Sequence, residues 1–137
     1  MEEQIKIKAD IPQKPPFRYI DSISKLDTPE QYIHGLVQYP GQCERYSPLD
    51  NVPYFLILES LAQLSGMLGR VSLNNGSGGY LVSIDKCMSA IRIPTPAVIS
   101  LQSTATNINY PFCTFKASAE AFERRICYAT LTIKMGS

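Results

Sequence analysis

The chain has 137 residues, 45% of them hydrophobic and 18% charged, with a net charge of +1 at neutral pH. That length suits one domain with a core of its own, and the ordinary composition excludes a low-complexity chain. The near-neutral balance excludes a global electrostatic attraction to nucleic acid or anionic lipid.

Residues 1–9 read as a polar arm. They have neither an apolar core nor a cleavage signal, so no export signal is expected and a cytoplasmic location is. No apolar run reaches about 18 uninterrupted residues, so no membrane span is expected. From Ile11 to Ile23, Pro12, Pro15 and Pro16 forbid a regular helix and favour an extended or turn path. Phe17, Tyr19 and Ile20 are apolar anchors, and a short strand is expected to begin over Ile20–Ile23. Gln31–Tyr39 has strand-forming residues, with Gly35 expected to mark a bulge. Residues 40–52 are rich in turn formers and read as a loop.

Pro53–Leu73 is the one long run that reads as a helix, with Asp50 or Asn51 expected to cap it and Pro53 near its first turn. Phe55, Leu56, Ile57, Leu58, Leu61, Leu64, Met67, Leu68 and Val71 leave no broad polar face, which predicts a helix buried all round. Glu59 and Gln63 interrupt this run four residues apart, on one face. A buried carboxylate costs several kcal/mol unless it is paired, protonated or facing a cleft, so Glu59 is a candidate site residue.

After the breaker segment 74–79, strands are expected over Tyr80–Ile91, Val98–Ile108, Phe112–Ala121 and Arg125–Met135. The last two alternate apolar and polar residues at every second position, as in an antiparallel sheet packed on one face. Asn109-Tyr110-Pro111 and Phe122-Glu123-Arg124 read as hairpin connections. The whole order predicts an α+β fold, one antiparallel sheet curled around one central helix. Four cysteines, Cys43, Cys87, Cys113 and Cys127, lack metal-ligand spacing and read as buried or half-buried thiols. No metal and no cofactor is expected.

In order and spacing, these segments resemble the 3-hydroxyacyl-acyl-carrier-protein dehydratases of the FabZ type, which have the hotdog fold. Pro12-Gln13-Lys14-Pro15-Pro16-Phe17, with Asp21 beyond, stands where that family has Pro-His-Arg-x-Pro-Phe and a later Asp. Glu44-Arg45-Tyr46-Ser47-Pro48 stands where it has Gly-His-Phe-Pro-Gly. Pro53, Leu56, Glu59 and Gln63 match its helix, with Tyr54 in place of a glycine. Ile84-Asp85-Lys86 resembles the start of a later strand, with Ser89 replacing an aromatic residue.

The resemblance implies a dimer in which a loop histidine of one subunit works with the helix carboxylate of the other. It makes Glu59 and Arg45 the catalytic positions and places Tyr54, Gln63, Tyr46, Phe17 and Pro53 along the substrate. Arg45 occupies the histidine position, and a guanidinium that stays protonated cannot be a general base. Three readings follow: a dehydratase with weak chemistry, a silent subunit completing a histidine-bearing partner, and a thioesterase using Glu59. Gln63 either supports the site or bonds nearby backbone, and Arg45 either positions substrate or pairs with Glu59 of the facing subunit. The implied ligand is an acyl thioester on acyl carrier protein or coenzyme A. Lys14, Arg18, Arg45, Lys86 and Arg92 form a candidate positive rim for an acidic carrier, against the plain alternative of solvated surface charge. His34, the chain's only histidine, reads as a sheet residue.

Overall fold

Alternating side chains decide how the strands lie. In a computed structural model, which describes residues 20–39, 51–73, 79–89 and 92–136, the elements run β1 (Ser22–Asp27), β2 (Tyr32–Tyr39), α1 (Tyr54–Ser72), β3 (Gly79–Ser89), β4 (Ala97–Asn109), β5 (Phe112–Ala121) and β6 (Arg124–Met135). The strands form one antiparallel sheet in the order β1-β2-β4-β5-β6-β3. One face carries Ile33, Val37, Ile99, Leu101, Phe115, Ala117, Ala129, Leu131 and Ile133, all buried. Against it α1 lays Leu56, Ile57, Leu61, Leu64 and Leu68. Burying each such aliphatic side chain is worth about 1.5–3 kcal/mol, so this layer is the main source of stability. The α+β expectation holds, and the expected bounds of β5 match while those of β6 differ by one residue.

Four expectations are corrected. The helix is not capped by Asn51: its N-cap is Pro53, and no side chain bonds the first turn. Asn51 instead pairs as an isolated bridge with Pro94, and Val52 N–H donates to the Ile93 carbonyl at 2.8 Å. Asp50 lies outside the described residues. Gly35 does stand at a register irregularity, but the extra residue belongs to the partner strand β1, between Ile23 and Lys25, and not to its own strand. A Cβ at Gly35 would stand 3.0 Å from the Ser22 carbonyl oxygen and 3.1 Å from Leu64 Cδ1, so the glycine admits the helix close to the sheet. The helix is not buried all round, since Tyr54, Phe55 and Val71 are exposed and so is Glu59. Finally, Cys113 and Cys127 are buried but Cys87 is exposed; Cys43 lies outside the described residues.

The two edge strands differ. β1 is six residues long, irregular at Ser24 and mostly polar. β3 is eleven residues long, and Val82, Ile84 and Met88 on it are exposed apolar side chains. A long apolar edge with a free backbone row is a template for pairing with another chain. At the β5–β6 connection Phe122 and Glu123 both take positive φ, 54° and 62°, the geometry of a two-residue hairpin turn that matches strand twist.

Candidate functional site

The first half of α1 carries the candidate residues that the structure describes. Pro53 ends the incoming chain at φ −62° and ψ 138°, and the first N–H groups after it precede the helical ladder. Tyr54 and Phe55 stand exposed, with their rings edge to face at 6.3 Å. One turn on, Glu59 is exposed. Ser60, beside it in sequence, is buried and donates to the Leu56 carbonyl at 3.0 Å.

Gln63 lies a turn beyond Glu59, but at 6% exposure it belongs to the interior. The shared face expected of the pair therefore straddles the boundary, with the carboxylate outside and the amide beneath. Phe55, Glu59, Ala62 and Gly66 follow one another along this side of the helix at spacings of four, three and four. A Cβ at Gly66 would meet nothing within 4 Å. Gly69, three residues further on, would bring its Cβ to 3.1 Å from Met135 Sδ and 3.2 Å from Phe115 Cζ, so the packing tightens toward the end of the helix. Within one chain Glu59 is therefore not the buried carboxylate expected of it. What remains is a carboxylate exposed beside Phe55 in the first half of the helix, with Ala62 after it already buried.

Phe17, Arg45 and Tyr46 lie outside the described residues, as do Lys14 and Arg18 of the candidate rim. Lys86 lies on β3, and Arg92 is exposed beyond its end.

His34 is a sheet residue, as expected. Its neighbours Ile33 and Gly35 face the helix, so His34 projects from the opposite face of the sheet. There it sits between two hydroxyls. Ser24 Oγ contacts His34 Nδ1 and donates to the His34 carbonyl at 3.3 Å. On the other side of the ring, Nε2 and Ser100 Oγ share a hydrogen bond at 2.5 Å. A second polar row runs beside it: Tyr32 Oη donates to Gln102 Oε1 at 3.2 Å, and Gln102 Nε2 donates to Ser118 Oγ at 2.8 Å. Sequence reasoning missed both rows, whose only signal is the set of outward positions in β2, β4 and β5. Among the described residues no group of three His, Cys, Asp or Glu side chains is placed to hold a metal ion, and no helix is long and apolar enough to cross a membrane.

The buried thiols are held protonated. Burial pushes Cys113 above the ordinary thiol range. Cys127 is pushed up to about 11, first by burial and then by the neighbouring Cys87.

No protein-family model matches the chain, and no curated protein matches it by sequence. Solved structures do. A chain of the dehydratase heterocomplex ApeI:P from Xenorhabdus doucetiae superposes with a TM-score of 0.80 at 14% identity, over 97% of this chain and 92% of that one. A hypothetical thioesterase with coenzyme A from Streptococcus pneumoniae gives 0.66 at 16% identity, over 84% of each. The protein smu.793 from Streptococcus mutans, bound to acetyl CoA, gives 0.70 at 9% identity, over 93% of this chain and 97% of that one. With its six-stranded antiparallel sheet wrapped around α1, and with these structures superposing over most of its length, the chain has the hotdog fold.

Proposed function

We propose that the chain is a FabZ-like subunit for 3-hydroxyacyl thioesters on acyl carrier protein or coenzyme A, in cytoplasmic fatty-acid or related acyl-chain biosynthesis. In this reading it dehydrates feebly by itself and works when paired with a histidine-bearing hotdog subunit. The observation that carries the reading is the position of His34. The only imidazole of the chain projects from the face of the sheet away from α1, tied to Ser24 and Ser100, while Glu59 stands exposed on the helix. Within one chain, then, no described imidazole reaches Glu59. By resemblance, Arg45 holds the place where the family has its base, and a guanidinium cannot fill that role.

Dehydration needs a base to take the C2 proton and an acid to protonate the departing C3 hydroxyl. The products are the 2-enoyl thioester and water. Glu59 is the acid. The base is a histidine of the partner, brought alongside by pairing along β3, whose exposed Val82, Ile84 and Met88 give that edge an apolar surface to cover. The first backbone N–H groups of α1, at Tyr54, polarise the thioester carbonyl, because a helix N-terminus favours developing negative charge. Tyr54 and Phe55, exposed beside that point, line the acyl chain with Pro53. Phe17 and Tyr46 are assigned to the same pocket by resemblance alone, and Gln63 supports Glu59 from beneath.

A second reading, thioester hydrolysis, is favoured by the exposure of Glu59. An open carboxylate can activate a water for attack on the thioester carbonyl, with the C–S bond breaking to release acid and thiol.

Purified protein given a 3-hydroxyacyl thioester separates the readings. We expect enoyl thioester to form about 10²–10⁴ times more slowly than with a histidine-supplied site, and Arg45→His to raise the rate. Thiol release that disappears in Glu59→Ala selects hydrolysis. Full dehydratase turnover by the unmodified homomer would contradict the proposal.

A further inference from the structure

The outer face of the sheet, away from α1, carries a depression of about 380 Å³ that the thioester site does not use. Lys86 of β3, Arg125, Tyr128 and Thr130 of β6, and Lys116 and Ser118 of β5 line it. Strand order assembles it from distant sequence. Lys116 lies opposite Thr130, Ser118 opposite Tyr128, and Met88 opposite Tyr128 from the other side.

Its cations are arranged by backbone and ring geometry. Lys86 sits in the irregularity of β3 between Asp85 and Met88, with φ at 50°. A left-handed residue other than glycine costs about 1–2 kcal/mol, and a bulge is the usual device for re-aiming a side chain. Arg125 lies over the Tyr128 ring, 5.7 Å from its centre. That cation–π contact holds the guanidinium at the depression, which Arg125 and Tyr128 both line. Among the described residues, Lys86, Lys116 and Arg125 form no ion pair. Glu120 lies opposite Arg125 and Asp85 opposite Thr130, yet neither carboxylate lines the depression.

The hydroxyl row fixes a fourth donor. Ser118 is only 9% exposed. Its Oγ accepts from Gln102, whose carbonyl oxygen is in turn bonded by Tyr32. With its lone pair engaged, Ser118 keeps its proton to give. Three cations and an oriented O–H make a set of donors suited to a compact polyanion with several acceptor oxygens. The volume suits a small molecule.

We propose that this depression binds a phosphate monoester or diphosphate group, with Lys86, Lys116 and Arg125 neutralising it and Ser118 donating to one of its oxygens. Calorimetric titration with inorganic pyrophosphate, at constant ionic strength, tests it. Lys116→Ala and Arg125→Ala are each expected to weaken binding about tenfold or more, the scale of one lost charge-assisted contact. Ser118→Ala is expected to weaken it several-fold, as a purely diffuse field would not. Arg124→Ala, a nearby exposed cation outside the depression, is expected to leave it unchanged. The same titration with adenosine diphosphate reports the source: equal affinity means that the phosphate group alone is read, and tighter binding means that its nucleoside also is. Either result supports the site if Lys116→Ala weakens it. No heat above the ionic-strength control, or an Arg124→Ala effect equal to that of Lys116→Ala, would overturn the proposal. All the substituted cations are exposed, so thermal unfolding near that of the parent verifies that the variants fold.

Discussion

On the sheet-facing side of α1, Leu61, Leu64 and Leu68 are fully buried, while on its other side Phe55 is 59% exposed and Glu59 stands open. Both sides are built from similar residue types, so hydrophobicity alone does not separate them. The difference lies in what each side has to pack against. One meets the sheet, whose alternate residues all point toward it. The other has no covering strand among the described residues. In the proposed pairing, the exposed Phe55 and Glu59 are what a second chain would meet.

The contrast implies unequal responses to substitution. Leu61→Ala removes a fully buried side chain and is expected to cost about 2–5 kcal/mol in chemical denaturation. Glu59→Ala is expected to change stability by no more than about 0.5 kcal/mol. A larger loss there would mean that the carboxylate is structural. Two glycines three residues apart, Gly66 and Gly69, show how the packing changes along the helix. Gly66→Ala enters open space and gains helix propensity, raising stability by up to about 1 kcal/mol. At Gly69 the added methyl must displace Met135 and Phe115, and overpacking of this kind costs about 1–3 kcal/mol, so Gly69→Ala is expected to lower it. If both variants shift melting in the same direction, the space at Gly66 is not open as described.

The smallest effect concerns the thiols at the β3 edge. Cys127 is buried and its pKa is raised from 9.0 to about 11. The folded chain then holds its proton where the unfolded chain has lost it. The stability this gives is fully present below pH 9 and is lost as pH rises toward 11. Cys127→Ala is expected to flatten that decline in a denaturation series across the window. A thiol reagent at neutral pH is expected to modify the exposed Cys87 well before Cys127 or Cys113.

Much of the fold was legible in the sequence because a strand repeats every two residues and each residue reports which face it occupies. Phe112–Ala121 is the clearest case, with a polar residue at nearly every second position. The helix was legible in extent but not in burial, since an apolar side chain such as Phe55 carries no record of whether a second element covers it. The cap was misread for a related reason. Asn51 can cap a helix, but here its backbone is drawn into the bridge to Pro94, and the helix starts without side-chain help. Gly35 signalled a special position correctly, yet its cause, the approach of Leu64, lies across the core. Of the site, Glu59 and Gln63 stood out as polar residues within one apolar helix, whereas Tyr54 was marked only by the resemblance. The outer depression did not, because Lys86, Lys116 and Arg125 meet only through the strand order β5-β6-β3.

The central claim is that Glu59 needs a base from another chain. The most direct measurement is the dehydration rate of a 3-hydroxyacyl thioester by this chain co-purified with a histidine-bearing hotdog partner, with Glu59→Ala carried only by this chain. The account predicts that the pair is active, that this chain alone is slower by about 10²–10⁴, and that Glu59→Ala returns the pair to the rate of the partner alone. A pair whose rate is indifferent to Glu59→Ala, or a homomer as fast as the pair, would contradict it.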